Sequence, residues 1–199
     1  PLQMAGAYAV FANGGYKVNP YLISKITDNN GKTLFQVTPE KAGEESLRVI
    51  DERNAFLVDS MLKDVVKHGT ATRALSLKRA DIAGKTGTTN DSIDAWFAGY
   101  NPKLVGIAWI GFDKPKNLGN RETGGGLALP IWIGYMQKAL ASMPVLEREV
   151  PYGVVTSGSD YVYAEYAEGA GVNSIGNNAP GETKPAGEKT EDAVKSELF

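Results

Sequence analysis

Ile82-Ala83-Gly84-Lys85-Thr86-Gly87-Thr88, Asp94-Ala95-Trp96-Phe97-Ala98-Gly99-Tyr100 and Leu104-Val105-Gly106-Ile107-Ala108-Trp109-Ile110-Gly111-Phe112 are three β-prone runs in quick succession. Asn101-Pro102-Lys103 between the last two is a tight turn, so those strands are expected to lie side by side and antiparallel. The third run is almost entirely apolar, which predicts a central strand covered on both faces. Upstream, Met4, Tyr8 and Phe11 recur at helical spacing, with Ala5, Ala9 and Ala12 beside them, until Gly14-Gly15. Tyr21–Thr27 and Thr33–Phe35 flank Asp28-Asn29-Asn30-Gly31, a hairpin signal, and residues 38–48 are a polar connection. Asp51 is placed to cap a helix running to about His68, with Leu57, Val58, Met61, Leu62, Val65 and Val66 as its stripe and Gly69 as its stop. Downstream, Pro130 stands at a helix first turn, followed by Trp132, Met136 and Leu140 at helical spacing. Helix, hairpin, helix, three strands, helix is the order of an α+β fold: an antiparallel sheet flanked by helices.

Residues 1–150 carry this order and residues 151–199 lose it. The first part has a net charge of +3 and the second −5. Clusters of Gly, Ser, Asn and Pro and an acidic end mark 151–199 as an extension, read as largely disordered after about residue 175. The chain of 199 residues is 42% hydrophobic, enough to bury a core without a metal or a disulfide. It has no cysteine, which excludes disulfides, thiolate metal sites and a cysteine nucleophile. Its single histidine, His68, excludes multi-histidine metal sites and falls at a helix C-terminus, where it suits the helix dipole. The overall charge of −2 points to no nucleic-acid partner. No apolar run approaches the ~20 residues of a membrane span. No metal and no cofactor are expected.

Ala83-Gly84-Lys85-Thr86-Gly87-Thr88-Thr89-Asn90 carries the chemistry. Strand alternation puts Lys85, Gly87 and Thr89 on one face and Thr86 and Thr88 on the other. On an edge strand the outer backbone groups are free, and Gly87 lets another backbone approach closely. A lysine and threonines beside such an edge suit the terminal carboxylate of an extended peptide added as a further strand. Two other readings compete. Gly84-Lys85-Thr86 matches the end of a phosphate-binding loop, but that motif wants a glycine where Arg79 stands and a helix where Gly87 and β-prone residues follow. A plain edge strand with a solvated lysine fits the local pattern equally well.

Taken together, Pro1-Leu2-Gln3-Met4-Ala5, Phe11-Ala12-Asn13-Gly14-Gly15, Gly69-Thr70-Ala71, Gly84-Lys85-Thr86-Gly87-Thr88-Thr89, Asp94-Ala95-Trp96-Phe97-Ala98-Gly99-Tyr100 and Ala128-Leu129-Pro130-Ile131-Trp132 resemble the transpeptidase domain of the penicillin-binding proteins. The likeness is collinear over about residues 1–140 and greatest to the bifunctional class A kind, which join a glycosyltransferase to a transpeptidase. It implies the fold shared with serine β-lactamases, here as a partial domain. It also implies serine acyl transfer on D-Ala-D-Ala stem peptides of peptidoglycan, cell-wall cross-linking and β-lactam binding. Lys85 would face the nucleophile, Thr86 and Thr88 would bind the terminal carboxylate, and the Thr88 N–H would serve the oxyanion hole. Gly87 and Thr89 would complete the substrate-binding strand. A hydrolase of the same fold (a D,D-carboxypeptidase or a β-lactamase) and a non-catalytic penicillin-binding-like module are the alternatives. The location implied is the extracytoplasmic, periplasmic face of the bacterial membrane, with an anchor outside this chain.

Two of the family's three site elements, Ser-x-x-Lys and Ser-x-Asn, are not found at their places. Ser60-Met61-Leu62-Lys63 spells the first, but its helix directly precedes the Lys-Thr-Gly strand, and Met61 and Leu62 belong to the apolar stripe. No Ser-x-Asn occurs, and Thr27-Asp28-Asn29 lies in a hairpin turn. The nucleophile is therefore expected in an upstream half of the same protein, and this chain alone is expected to be inactive. Trp96, Trp109 and Trp132 read as packing residues, Asp94 as the anchor of a turn, and Asn90-Asp91-Ser92 and Thr123-Gly124-Gly125-Gly126 as loops beside the cleft.

Overall fold

The computed structural model describes residues 1–120 and 122–167. In chain order these form α1 (Leu2–Asn13), β1 (Lys25–Thr27), β2 (Thr33–Gln36), α2 (Glu52–Lys67), β3 (Ala83–Thr88), β4 (Ala95–Asn101), β5 (Leu104–Ile110), α3 (Leu129–Ala139), β6 (Val154–Ser157) and β7 (Asp160–Tyr163). Two helix ends fall where the sequence has its caps, whereas α2 stops at Lys67 with His68, not Gly69, as its C-cap. Gly14 takes the left-handed conformation, φ 91°, after α1. The Asp51 carboxylate accepts from the Arg53 N–H at the start of α2. Gly31, φ 77°, turns the β1–β2 hairpin.

The central sheet is antiparallel in the order β3-β4-β5. Thr86 pairs with Phe97 and Phe97 with Ala108, so these three share a face. Lys85, Ala98 and Ile107 share the other face, as do Gly87, Trp96 and Trp109. The first face is covered by α3. A Cβ at Gly99 or Gly106 would stand 2.7 Å from the Trp132 indole, so the two glycines make the seat into which that ring drops. The Trp132 Nε1–H donates to the Gly106 carbonyl at 3.0 Å, and the Phe97 ring meets the indole edge-on at 4.9 Å. With Ile82, Leu129, Met136 and Leu140 they form the core. On the second face, α1 supplies Ala12, Tyr8 and Phe11, and α2 supplies Leu62, against Ala83 and Tyr100.

Two buried polar groups tie these layers together. Asp81 accepts from Arg79 at 2.7 and 2.9 Å, from the Leu146 N–H and from Asn101. Arg79 also donates to the Met143 and Pro144 carbonyls, which clamps the chain leaving α3 onto the start of β3. On α2, the buried Asp59 accepts from the Tyr100 hydroxyl at 2.9 Å and pairs with Lys63 at 2.9 Å.

Three expectations change. β5, expected to be central, has β4 as its only neighbour among the described residues, and only Ala108 of its residues is buried. Its apolar sequence therefore exceeds what the described residues cover. Met61 is exposed, because the inward face of α2 turns on Ala55, Phe56, Asp59 and Val66. Residues 151–167 are ordered: β6 and β7 make a hairpin that returns to α2, with Tyr161 edge-on to Phe56 at 4.9 Å and Glu165 paired to Arg53 at 2.9 Å. The acidic stretch read as disordered lies outside the described residues.

Candidate functional site

Among the described residues β3 pairs only with β4, which leaves its outer side open. The Thr89 N–H donates to the Asp94 carbonyl at 3.1 Å. Bonded and non-bonded pairs alternate along an antiparallel ladder, so Gly87–Trp96 and Lys85–Ala98 are the bonded pairs. The N–H and C=O groups of Thr86 and Thr88 are thereby directed away from β4, to the free edge. Lys85 is exposed and its ammonium donates to the Thr86 carbonyl at 2.9 Å.

Thr86 and Thr88 also send their side chains into a depression of about 490 Å³, walled by Thr70, Arg73 and Thr123. The Thr86 and Thr70 hydroxyls are 2.7 Å apart. The Thr88 hydroxyl accepts from the Gly124 N–H at 3.1 Å. Gly124–Ala128 is a single π-type turn, capped by the Thr123 hydroxyl, which accepts from the Gly126 N–H at 3.1 Å. The turn lies directly on the strand: a Cβ at Gly124 would be 2.5 Å from the Gly87 carbonyl oxygen, and one at Gly125 would be 3.0 Å from that of Thr70. The glycine run read as a loop beside the cleft is one of its walls.

The structure thus brings Thr86 and Thr88 together and sets Lys85 on the opposite face of the strand. Gly87 joins the two: a Cβ there would stand 3.3 Å from that of Trp96, on the Lys85 face. Thr89 faces neither group, and its hydroxyl accepts from the Asp94 N–H at 2.8 Å, closing the β3–β4 loop. In that loop Asp91 and Ser92 hold positive φ, 59° and 50°. On the Lys85 face Trp96 stacks on Trp109 at 5.6 Å, and the Trp109 indole N–H donates to the Asp94 carboxylate at 2.9 Å. Lys63 is held by Asp59 rather than by Ser60, and burial, followed by the Asp59 charge, pushes the Tyr100 hydroxyl well above its ordinary pKa. Tyr100 is accordingly a neutral donor to Asp59, and this network lies under the sheet as structure. Among the described residues no group of three His, Asp or Glu side chains gathers as metal ligands. Nor is any helix there long and apolar enough to cross a membrane. Sequence reasoning did not single out Thr70 or Arg73 as site residues, although Gly69-Thr70-Ala71 is one of the stretches that carry the family resemblance.

Residues 1–136 match the penicillin binding protein transpeptidase domain. The chain is 48% identical over 166 residues to penicillin-binding protein 1A of Neisseria lactamica, covering 83% of this chain and 21% of that protein. It is 43% identical over 201 residues to penicillin-binding protein 1A of Pseudomonas aeruginosa, covering 78% of this chain and 24% of that protein. The chain therefore spans roughly a quarter or less of the length of these curated relatives. Among solved structures, penicillin-binding protein 1A from Haemophilus influenzae superposes with a TM-score of 0.72 at 39% identity, over 79% of this chain and 28% of that one. The penicillin-binding protein PonA1 from Mycobacterium tuberculosis superposes with a TM-score of 0.60 at 28% identity, over 73% of this chain and 40% of that one.

Proposed function

The chain belongs to the penicillin-binding protein transpeptidase family, and we propose that it is the carboxy-terminal part of a peptidoglycan D,D-transpeptidase. The serine nucleophile is supplied by upstream sequence of the same protein. That serine attacks the penultimate D-Ala carbonyl of a stem peptide, D-Ala leaves, and an amine of a neighbouring stem peptide takes the acyl group. β-Lactams acylate the same serine. The protein works at the extracytoplasmic face of the membrane, held there by a segment outside this chain.

The observation that carries this reading is the free edge of β3. A peptide that adds to it in extended form meets the outward Thr86 and Thr88 backbone groups and two hydroxyls able to hold its terminal carboxylate. The Thr88 N–H, directed to the same edge, is the oxyanion donor this chain contributes, and such a donor is typically worth about 2.7–4 kcal/mol in the transition state. Lys85, on the other face, raises the positive potential around the incoming serine. Ser60 has no part in the reaction, since its would-be lysine partner neutralises Asp59.

Labelling with a fluorescent penicillin tests the reading. The 199-residue chain is expected to take no covalent label. The protein extended upstream to the length of its relatives is expected to be labelled, and there Lys85→Ala should slow acylation by about a hundredfold or more, roughly 3 kcal/mol of barrier. Stoichiometric labelling of Ser60, or a Lys85→Ala rate within about threefold of the parent, would overturn it.

A further inference from the structure

We propose that Thr70 is a positioning residue that aims the Thr86 hydroxyl proton out of the protein, as the Gly124 amide aims that of Thr88, so that the depression beside β3 selects an anionic terminal carboxylate over a neutral end. This rests on the reading of β3 as the edge that binds the end of a peptide.

A threonine hydroxyl has one proton and two acceptor lone pairs. If a protein group donates to that oxygen, its single proton is left for a ligand. If the hydroxyl instead donates to the protein, it turns a lone pair towards the ligand, and a carboxylate is repelled. At Thr88 the choice is fixed by covalent structure, because the Gly124 backbone N–H can only donate. The Thr88 proton is therefore free to point into the depression. At Thr86 the partner is the Thr70 hydroxyl, 2.7 Å away, with either oxygen able to give the proton. An anion in the depression decides between the two states. It accepts from Thr86 only when Thr70 donates to Thr86, so binding of a carboxylate selects that arrangement and a neutral amide end does so far less. Charge supports the same assignment. Arg73 stands in the wall, no acidic residue lines the depression, and Arg73 has no carboxylate partner among the described residues. Thr70 is itself fixed from outside, since its carbonyl lies against Gly125 of the turn that holds Thr88. The two donors thus sit on one rigid frame, which lowers the ordering cost of binding.

The test is a titration of the full ¹⁵N-labelled chain with N-acetyl-D-Ala-D-Ala and with the same dipeptide as its carboxamide, followed by amide shifts of residues 84–90 and 123–127. Wild type is expected to prefer the acid. Thr70→Val, which keeps the shape and removes the hydroxyl, should weaken acid binding by about tenfold and leave the carboxamide within about twofold, while Thr70→Ser should restore the acid affinity. In a Thr86→Val background, Thr70→Val should cost nothing further, because Thr70 acts through Thr86. If wild type does not bind the acid at all, the carboxylate reading of β3 falls and this assignment with it. If wild type binds the acid but Thr70→Val binds it equally well, or Thr70→Ser fails as Thr70→Val does, the assignment to Thr70 alone is overturned. A further loss in the Thr86→Val background would make Thr70 a direct ligand contact and would equally overturn it.

Discussion

Asp81 shows how one side chain can organise a fold without touching its chemistry. It is almost wholly buried, and it accepts from a guanidinium, a backbone amide and a side-chain amide drawn from well-separated parts of the chain. Burial alone pushes its carboxyl pKa up, but Arg79, the Leu146 amide and Asn101 outweigh that and hold it below its ordinary value. A carboxylate depressed in the folded state stabilises the protein above its unfolded pKa, about 3.9, and that contribution fades as pH falls through the folded pKa. Urea unfolding should therefore show stability flat in this contribution above about pH 5 and falling below about pH 4, with a shallower fall in Asp81→Asn. Asp81→Ala should cost about 3–5 kcal/mol at neutral pH, since it strands a mostly buried guanidinium. A loss under 1 kcal/mol would show that the clamp on residues 143–146 holds without its charge. None of this was legible in the sequence, where Asp59, Asp81 and Asn101 look like any surface polar residues. A buried acid leaves no periodic mark, and its partners lie too far along the chain to be paired by spacing.

At the scale of elements, β1 to β5 and most of the caps and turns followed from local chemistry, and the misreadings were of environment. Asp51, Gly14, Gly31 and Asn101-Pro102-Lys103 act within a few residues of themselves, so sequence suffices for them. Whether β5 has a neighbour, or which way Met61 faces, depends on what else is packed nearby. The hairpin β6–β7 was missed because Gly158 sits between short runs that look like loop until Phe56 and Arg53 are there to receive them. The site was half legible: the Lys-Thr-Gly strand stands out in the sequence, but Arg73 and the donor role of the Gly124 amide belong to a wall built by tertiary contact. The glycines carry the element-level prediction. Gly99→Ala would drive a methyl to 2.6 Å from the Phe97 ring and 2.7 Å from the Trp132 indole, with no flexible end to yield. It should destabilise the chain by about 1–3 kcal/mol or more, as overpacking does, read as a lower melting temperature. Gly134→Ala, on α3 with nothing within 4 Å, is the control and should be neutral or stabilising.

For the whole molecule, the last described elements are its fastening. The β6–β7 hairpin lies beyond the stretch matched to the transpeptidase family, yet it covers Phe56 and faces α2, whose other side supports β3 through Leu62. Ending the chain at Glu149 should expose that ring and lower stability by about 2 kcal/mol, measured as a shift of the urea midpoint. An unchanged midpoint would mean the hairpin merely rests there. The two sides of the sheet also differ in their aromatic content. Trp132 is sealed in the core, whereas Trp96 on β4 and Trp109 on β5 lie stacked in partial contact with water on the Lys85 face. Intrinsic emission from this protein accordingly has a quencher-shielded component and a quencher-accessible one. Within the accessible pair Trp96 stands directly across from Gly87 of the strand where a ligand would be laid down, so the molecule carries its own optical gauge of occupancy, with no dye attached.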